Sequence, residues 1–289
     1  MIKGPTISRS AALPTDTTDP EKPMASAPQA NLPLFYKDLM PLNSRDHGKW
    51  RMRPIERATW VVDQHAVPIT AEEFIPAHVY YPIIFSLGDD PVPLALMGLH
   101  EGVNVYFNEE GQTAEDIYIP AYIRRYPFLL AKLDRNSETM SLCFDPTCDA
   151  VGDFEDGTAL FEGDQPSEHT QNILKFSEGF EEAGARTQAL IEELKKHELL
   201  MEGELAIQRT DQPDQPYVYR GFQMVDQNKL RELRGDQLRK WNENGILALI
   251  YAHVFSLDLM RSIFSRQILQ GKGPAVNPQT ANEPAPENA

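Results

Sequence analysis

Residues 168–200 repeat apolar side chains at three- and four-residue steps, which is the pattern of a long amphipathic helix. Ser167 follows Pro166 and can cap the amino end of this helix. Gly179 and Gly184 each weaken the helix by about 1 kcal/mol relative to Ala, so we expect a neighbouring element to approach closely at both positions. The apolar stripe consists of Ile173, Phe176, Phe180, Ala183, Thr187, Leu190, Ile191 and Leu194.

The sequence before this helix predicts short strands. Four segments there are rich in apolar and aromatic side chains, namely 58–64, 80–87, 93–99 and 103–107. Turn sequences such as GDDP and NEEGQ separate them, so the spacing predicts an antiparallel meander. Residues 141–145 and 159–162 would add edge strands.

The sequence after the long helix predicts a β-hairpin followed by further helices. Residues 204–210 and 217–225 have strand character and are joined by a loop longer than a minimal turn. Asp226 can cap a helix that Gly235 interrupts, and a last helical stretch runs to Phe264. The predicted fold class is therefore α+β, with an antiparallel, strand-rich N-terminal half packed with the long helix, the hairpin and the C-terminal helices.

Both ends of the sequence lack apolar periodicity. Residues 1–33 are rich in Pro, Thr, Ser and Ala, and residues 271–289 have the same character. We therefore predict a disordered N-terminal arm and a disordered C-terminal tail, with a single domain over 34–270 between them.

The apolar segments do not predict a membrane protein. The N-terminal arm has no uninterrupted apolar stretch of the kind found in secretory signals. The longest apolar run, 245–260, is broken by His253 and Asp258 and is shorter than the ~20 residues that span a bilayer. We expect no transmembrane segment and a cytoplasmic location.

The charge balance limits the classes of partner. The chain has 43 acidic and 27 basic residues, for a net charge of −16. Because phosphate binding depends on clustered Lys and Arg, we expect no nucleic-acid partner. Cys143 and Cys148 are too few for a disulfide framework, and reduced thiols are favoured over a disulfide or a metal clip. The histidines show no ligand spacing and no nucleotide-binding loop or serine nucleophile motif occurs, so we predict no metal and no cofactor.

The segment 118–131, YIPAYIRRYPFLLA, places two adjacent arginines among aromatic and branched side chains. On an extended strand, Arg124 and Arg125 would point to opposite faces, so only one could enter the core or a cleft. An arginine among rings can stack on them and form a fork-like pair with a carboxylate. That carboxylate can be internal, which makes the arginine structural, or it can belong to a ligand. The candidate ligand-binding residues are Arg124, Arg125, Tyr80, Tyr81, Tyr118, Tyr122, Tyr126 and Phe128.

His100 and Glu101 complete the candidate ligand-binding set. Gly98 and Gly102 flank them, which predicts a bulge or tight turn that would expose the histidine. A hydrogen-bonded structural histidine is the favoured interpretation, and a metal-binding or catalytic histidine is the alternative. His253 lies in an apolar helical run, which is typical of a buried core histidine.

Four stretches, in this combination and order, resemble the SapC family, which is named for a protein associated with bacterial surface layers. They cover about residues 35–268 and are HVYYPIIFSLGDDPVPLALMGLHEGVNVYFNEEGQ, YIPAYIRRYPFLLA, GDQPSEHTQNILKFSEGFEEAGARTQALIEELKKHELL and YRGFQMVDQNKLRELRGDQLRKWNENGILALIYAHVFSL. The resemblance implies a bacterial protein of a family without an established reaction, and it assigns no catalytic residue. The genes that neighbour those of family members imply an accessory role in handling peptides. The family hallmark falls here on Tyr118, Pro120, Arg124, Arg125, Tyr126, Pro127 and Phe128.

Three functions fit these observations. The favoured one is a non-enzymatic accessory protein that binds a peptide or an acidic small molecule through the aromatic and arginine side chains of a groove. The second is an enzyme of peptide or small-molecule modification, whose site would be assembled from His100, Glu101, Arg124 and Asp145. The third is a structural or assembly component of a surface layer. The sequence assigns neither a ligand nor an oligomeric state.

Overall fold

The structure is a computed structural model that describes residues 32–113, 115–133, 139–207 and 216–273. All helices and strands below lie in the unit Pro33–Ala289, while the unit Met1–Leu32 falls almost wholly outside the described residues. The predicted disordered arm and tail also fall almost wholly outside them, so both stay predictions.

The described strands are short except for one hairpin. In chain order they are β1 (Met40–Pro41), β2 (Arg51–Met52), β3 (Ala66–Pro68), β4 (Ile83–Phe85), β5 (Pro93–Leu96), β6 (Phe128–Ala131), β7 (Ser141–Phe144), β8 (Val151–Gly152), β9 (Thr158–Ala159), β10 (Phe161–Glu162), β11 (Gln165–Pro166), β12 (Leu200–Ile207) and β13 (Tyr217–Val225).

The described helices include one of 29 residues and several of one to three turns. They are α1 (Ser44–His47), α2 (Phe74–Ala77), α3 (Ala121–Arg124), α4 (Glu168–Lys196), α5 (Gln227–Glu232), α6 (Gly235–Glu243), α7 (Ile246–Ser256) and α8 (Met260–Leu269). Three short 3₁₀ helices cover Thr59–Val61, Ala71–Glu73 and Leu257–Leu259.

The largest sheet has five strands in the order β12-β13-β4-β5-β3, and every described strand pair is antiparallel. The hairpin β12–β13 pairs with the strands of the first half through a single register pair, Gln223 with Phe85. A separate three-stranded sheet has the order β1-β7-β6. Helices and antiparallel sheets share one main core, so the predicted α+β class is confirmed.

Two apolar clusters hold these layers together. The main cluster joins the five-stranded sheet to α4, α6, α7 and α8, and its largest fully buried side chains include Trp241, Tyr81 and Phe74. A smaller cluster around β6 and β7 includes Phe128 and Phe144. The segment from α3 to β6 therefore runs from one cluster to the other.

The long helix follows its sequence pattern in most respects. The Ser167 hydroxyl accepts a hydrogen bond from the Thr170 amide at 3.3 Å, so the predicted cap is confirmed. The close approach expected at Gly179 and Gly184 is wrong, because a Cβ placed on either residue would meet no atom within 4 Å.

Two predicted strands are also wrong, and one buried amide explains why. Residues 58–64 contain a 3₁₀ turn, and residues 103–107 form only an isolated bridge from Phe107 to Thr113. Asn104 lies between them with no exposed surface. Its Nδ2 donates to the carbonyls of Val61 and Gln64 at 3.0 and 3.1 Å, and its Oδ1 accepts from the amides of Tyr106 and Phe107 at 2.9 and 3.1 Å. These bonds satisfy backbone groups that a strand ladder would otherwise pair.

His253 is a core residue of α7, as the apolar run indicates. The imidazole has no exposed surface, its Nδ1–H donates to the Ile83 carbonyl at 2.8 Å, and its Nε2 accepts from the Val225 amide at 3.0 Å. Burial lowers the pKa of His253 to about 4. The neutral ring thus joins α7 to β4 and β13.

Among the described residues, one helical stretch, Ile246–Leu269, is long and apolar enough to cross a membrane. Its mean hydropathy is 1.5, and 33% of its most apolar window is buried. A helix in the core of a water-soluble protein passes the same test, and here His253, Ser256 and Gln267 all hydrogen-bond to the backbone of other elements. The expected absence of a transmembrane segment therefore stays a prediction.

Candidate functional site

The arginine pair lies on a helical turn and not on a strand. Pro120 precedes α3, and the main chain enters β6 only at Phe128. The buried carboxylate of Glu73 fixes this turn, because its Oε1 accepts from the Ala121 amide at 2.6 Å and from the Tyr118 hydroxyl at 3.0 Å. Burial and the neighbouring Glu73 raise the pKa of Tyr118 to about 12. One internal acid therefore sets the position of α3.

Arg125 is the structural member of the pair. Its side chain is 8% exposed and lies between two rings, with the guanidinium carbon 4.1 Å from the Tyr122 centroid and 4.5 Å from the Phe180 centroid. The nearest carboxylate oxygen belongs to Glu181, 3.9 Å from Nη1, and the buried Nε has no hydrogen-bond partner. Ring stacking thus replaces most of the hydrogen bonds that a buried guanidinium would otherwise make.

Arg124 is exposed and has no acidic partner within 4 Å in the described part of the chain. Its guanidinium carbon lies 5.3 Å from the Phe176 centroid and 5.8 Å from the Tyr118 centroid. Nη2 donates to the Tyr118 hydroxyl at a long 3.4 Å. The side chain is therefore held on the surface by rings and not by a direct ion pair with any described residue.

Arg124 lines a cleft of about 680 Å³, here called the arginine cleft. It lies between the loop before the first 3₁₀ helix and the segment around α3. The lining residues are Ile55, Glu56, Arg57, Ala58, Trp60, Phe107, Gly111, Gln112, Thr113, Ile119, Ile123, Arg124 and Tyr126. Arg57 is exposed and, among the described residues, also lacks a carboxylate within 4 Å.

A second cleft of about 840 Å³, here called the aspartate cleft, adjoins the first. The two share Ile55, Glu56, Arg57, Trp60 and Tyr126. The remaining lining residues of the aspartate cleft are Phe35, Lys37, Pro54, Thr59, Asp63, Gln64, Thr147, Cys148, Asp149 and Ala150.

An aromatic pair stands where the two clefts meet. The ring centroids of Trp60 and Tyr126 are 4.4 Å apart with an interplanar angle of 34°. Burial, and then the neighbouring Cys148 and Asp145, raise the pKa of Tyr126 above its usual value. The Trp60 Nε1 is shielded from solvent and has no hydrogen-bond acceptor in the described structure. The two rings therefore form an apolar wall that both clefts share.

The buried carboxylate of Asp145 fixes the rim of the aspartate cleft. Its Oδ2 accepts from the Lys37 amide at 2.7 Å, and its Oδ1 accepts from the amide and hydroxyl of Thr147 at 2.8 and 2.7 Å. These bonds satisfy the carboxylate, so Asp145 joins the backbone at Lys37 to the loop at Thr147.

The other aromatic candidates do not line either cleft. Tyr81 and Phe128 lie in the core with at most 2% of their surface exposed, and Tyr122 is buried beside Arg125. Tyr80 is half-buried, and its carbonyl accepts from the Tyr106 hydroxyl at 2.6 Å. A ligand-binding role for these residues stays a prediction, but the described clefts are built mainly from other side chains.

Arg57 and Trp60 were not among the sequence candidates. Trp60 lies in the segment 58–64, whose apolar residues predict a strand, and Arg57 directly precedes that segment, so no periodic pattern indicated that either residue lies in the same cleft as Arg124. The only local indication is Pro54 among charged residues in RPIER, which is typical of an exposed loop.

His100 and Glu101 lie in a turn away from both clefts. The Gln267 Nε2 is 3.3 Å from His100 Nδ1, which connects this turn to α8. In the part of the chain that the structure describes, no hydrogen bond or ion pair joins either residue to Arg124 or Asp145. The four residues proposed for an enzyme site are therefore not brought together by direct contacts.

The described residues contain neither a cluster of metal ligands nor a disulfide bond. No cluster of three or more His, Cys, Asp or Glu residues there could hold a metal ion. Cys143 and Cys148 are free and buried, and burial raises the pKa of Cys143 to about 11. Burial also raises the pKa of the Cys148 thiol above its usual value, and the interpretation of both residues as inert cysteines stays a prediction.

Comparison with known proteins identifies the family. The sequence profile of the SapC family matches residues 42–263, a range that includes Arg57, Trp60, Arg124 and Tyr126. No curated protein and no solved structure matches the chain. Because the matched range covers most of the chain, the protein belongs to the SapC family.

Proposed function

We propose that this protein is a binding protein whose arginine cleft holds the carboxylate of a peptide or an acidic small molecule. One observation carries the proposal: Arg57 and Arg124 line the same cleft, and neither has a carboxylate within 4 Å among the described residues. The protein has an excess of acids, with a net charge of −16, yet these two guanidinium groups are left without an acidic partner.

The electrostatics favour an anion that presents two oxygens. A guanidinium group binds a carboxylate through two parallel N–H···O bonds, which are stronger than bonds between neutral groups. The surrounding negative charge of the protein repels anions at long range. We therefore expect selection by direct contact with the arginines and not by long-range attraction.

The Trp60–Tyr126 pair supplies the apolar part of the site. Ligand sites are usually concave and mostly apolar, with a small number of placed polar groups, and clefts of 300–1,000 Å³ are typical. The arginine cleft falls in this range. An apolar or aromatic group beside the carboxylate would contact the ring pair while the carboxylate meets the arginines.

The test is a calorimetric titration with N-acetyl-glycyl-phenylalanine and with the same peptide as its C-terminal amide. We expect the carboxylate form to bind and the amide to bind at least about tenfold more weakly, which corresponds to about 1.4 kcal/mol. Arg57→Gln and Arg124→Gln should each weaken binding of the carboxylate form by a similar factor. The fluorescence of Trp60 should change on binding, and Trp60→Phe should remove that change.

Arg239→Gln is the matched control, because Arg239 is an exposed arginine on α6 that lines neither cleft. It makes the same change in net charge and should leave binding unaltered. Equal binding of the acid and the amide, or equal binding by the wild type and both cleft variants, would show that the arginine cleft does not recognise carboxylates.

A further inference from the structure

We propose that the ligand is an extended peptide that ends in a carboxylate and carries a basic side chain a few residues before it. This inference rests on the proposed function, because the arginine cleft must first hold the carboxylate. It adds the aspartate cleft as the site of the basic side chain.

The two clefts adjoin and are here together called the trough. They share five lining residues, among them Arg57 and the ring pair Trp60 and Tyr126. Together they exceed what a single small acid fills, since each alone has the volume of a complete small-molecule site. An extended peptide advances 3.3–3.6 Å per residue and can follow such a trough from one end to the other.

The two ends of the trough differ in charge. Arg124 is the one charged residue that belongs to the arginine cleft and not to the aspartate cleft. The charged residues that belong to the aspartate cleft alone are Lys37, Asp63 and Asp149, with a net charge of −1. Both aspartates are exposed, and neither has an ion pair within 4 Å among the described residues.

This arrangement selects both the ligand and its direction. A peptide with its carboxylate at Arg124 and a Lys or Arg side chain near the aspartates places opposite charges together at both ends. The reverse direction, or an acidic side chain in place of the basic one, brings like charges together, which costs binding free energy. A chain with one carboxylate and one cation therefore fits the trough better than a dicarboxylate does.

Backbone contacts fix the walls of the trough. The Ala58 amide donates to the Gly111 carbonyl at 2.8 Å, which joins the loop that carries Arg57 to the turn at 108–112. Gly111 has φ of 75°, and a Cβ on it would lie 2.5 Å from the Ala58 carbonyl carbon. On the other side, Asp145 ties the backbone at Lys37 to the loop at Thr147. Such fixed walls reduce the entropy lost when a ligand binds.

The test uses peptides of the form acetyl-Lys-(Ala)n-Phe with a free carboxylate and with n from one to four. Each is compared with a peptide in which norleucine or Glu replaces Lys. At low ionic strength, where exposed charges are least screened, the Lys peptide of the best spacing should bind about tenfold more tightly than its norleucine counterpart. The Glu peptide should bind more weakly than both.

Asp63→Asn and Asp149→Asn should each reduce the advantage of Lys over norleucine, because the basic side chain then loses a carboxylate partner. Asp258→Asn is the matched control, because Asp258 is exposed and lines neither cleft. It should change nothing. A dependence on n supports a fixed distance between the two charge sites.

The outcomes separate the two proposals. If the norleucine peptide binds through Arg124 but Lys adds nothing at any spacing, the bipolar peptide is excluded and carboxylate recognition stands. If the Asp63→Asn and Asp149→Asn variants keep the full advantage of Lys, the basic side chain lies elsewhere and the inference is again overturned. If no free-carboxylate peptide binds, both proposals fail.

Discussion

Arg124 and Arg125 are neighbours on one helical turn, yet the side chain of Arg125 is buried and that of Arg124 is exposed. Arg125 is enclosed by Tyr122, Phe180 and Glu181 and contributes to the contact between α3 and α4. Arg124 is exposed over Tyr118 and Phe176, lines a cleft and has no carboxylate within 4 Å among the described residues. The sequence motif that contains both residues therefore combines a buried arginine with an exposed arginine that lines a cleft, and their roles can be separated by experiment.

The largest expected effect is a loss of stability on removal of Glu73, which fixes the turn that carries both arginines. Glu73→Ala removes the carboxylate that bonds to Ala121 and Tyr118 and leaves the buried Ala121 amide without this acceptor. We expect the free energy of unfolding to fall by about 3 kcal/mol, measured by urea denaturation followed by circular dichroism. The neighbouring Glu72 is exposed and paired with Arg186, so Glu72→Ala should cost less than about 1 kcal/mol. Similar losses in the two variants would contradict the role given to Glu73.

The next effect separates the two arginines. Arg125→Ala removes a buried guanidinium that packs on two rings, so we expect a loss of about 2 kcal/mol in the free energy of unfolding. Arg124→Ala should change it by less than about 0.5 kcal/mol, since the side chain is exposed and has no ion pair. Arg125→Met, which keeps most of the apolar contact, should cost less than Arg125→Ala. If the two alanine variants were equally stable, the burial of Arg125 would have no energetic role.

The smallest effect concerns the helix against which Arg125 packs. Gly179 is exposed and Gly184 half-buried on α4, and an added Cβ has open space at both. Gly179→Ala and Gly184→Ala should each raise the free energy of unfolding by about 1 kcal/mol, because Ala loses less backbone entropy in a helix. Thermal and urea unfolding of the single and double variants would measure this. A destabilised Gly179→Ala variant would indicate that the glycine serves the contact with Arg125 after all.

Local signals predicted local structure well. The cap at Ser167, the helix that follows it and the hairpin β12–β13 each depend on residues close together in the chain, and the structure has all three. The strand predicted at 58–64 failed because Asn104, some forty residues later, supplies hydrogen bonds that no periodicity indicates. Patterning records which side chains are apolar, but it does not record which polar side chain replaces a backbone partner.

The sequence indicated some residues of the candidate site and gave no indication of the others. The aromatic and arginine character of residues 118–131 pointed to Arg124 and Tyr126, which do line the clefts. Arg57, Trp60 and Asp63 come from a separate loop, and Asp149 from a third segment. Their meeting depends on tertiary contacts made through Gly111 and Asp145, and neither contact leaves a regular signature in the sequence.

The main chain at Gly111 directly contacts the main chain at Ala58, and the distance between these two segments sets the width of the trough. Two backbones meet there with no side chain between them, so even a single methyl group would force the walls apart. A variant at this position would retain every charged and aromatic group and still lose the geometry in which they act together. A substitution at a residue that carries no functional group can therefore change the shape of both clefts.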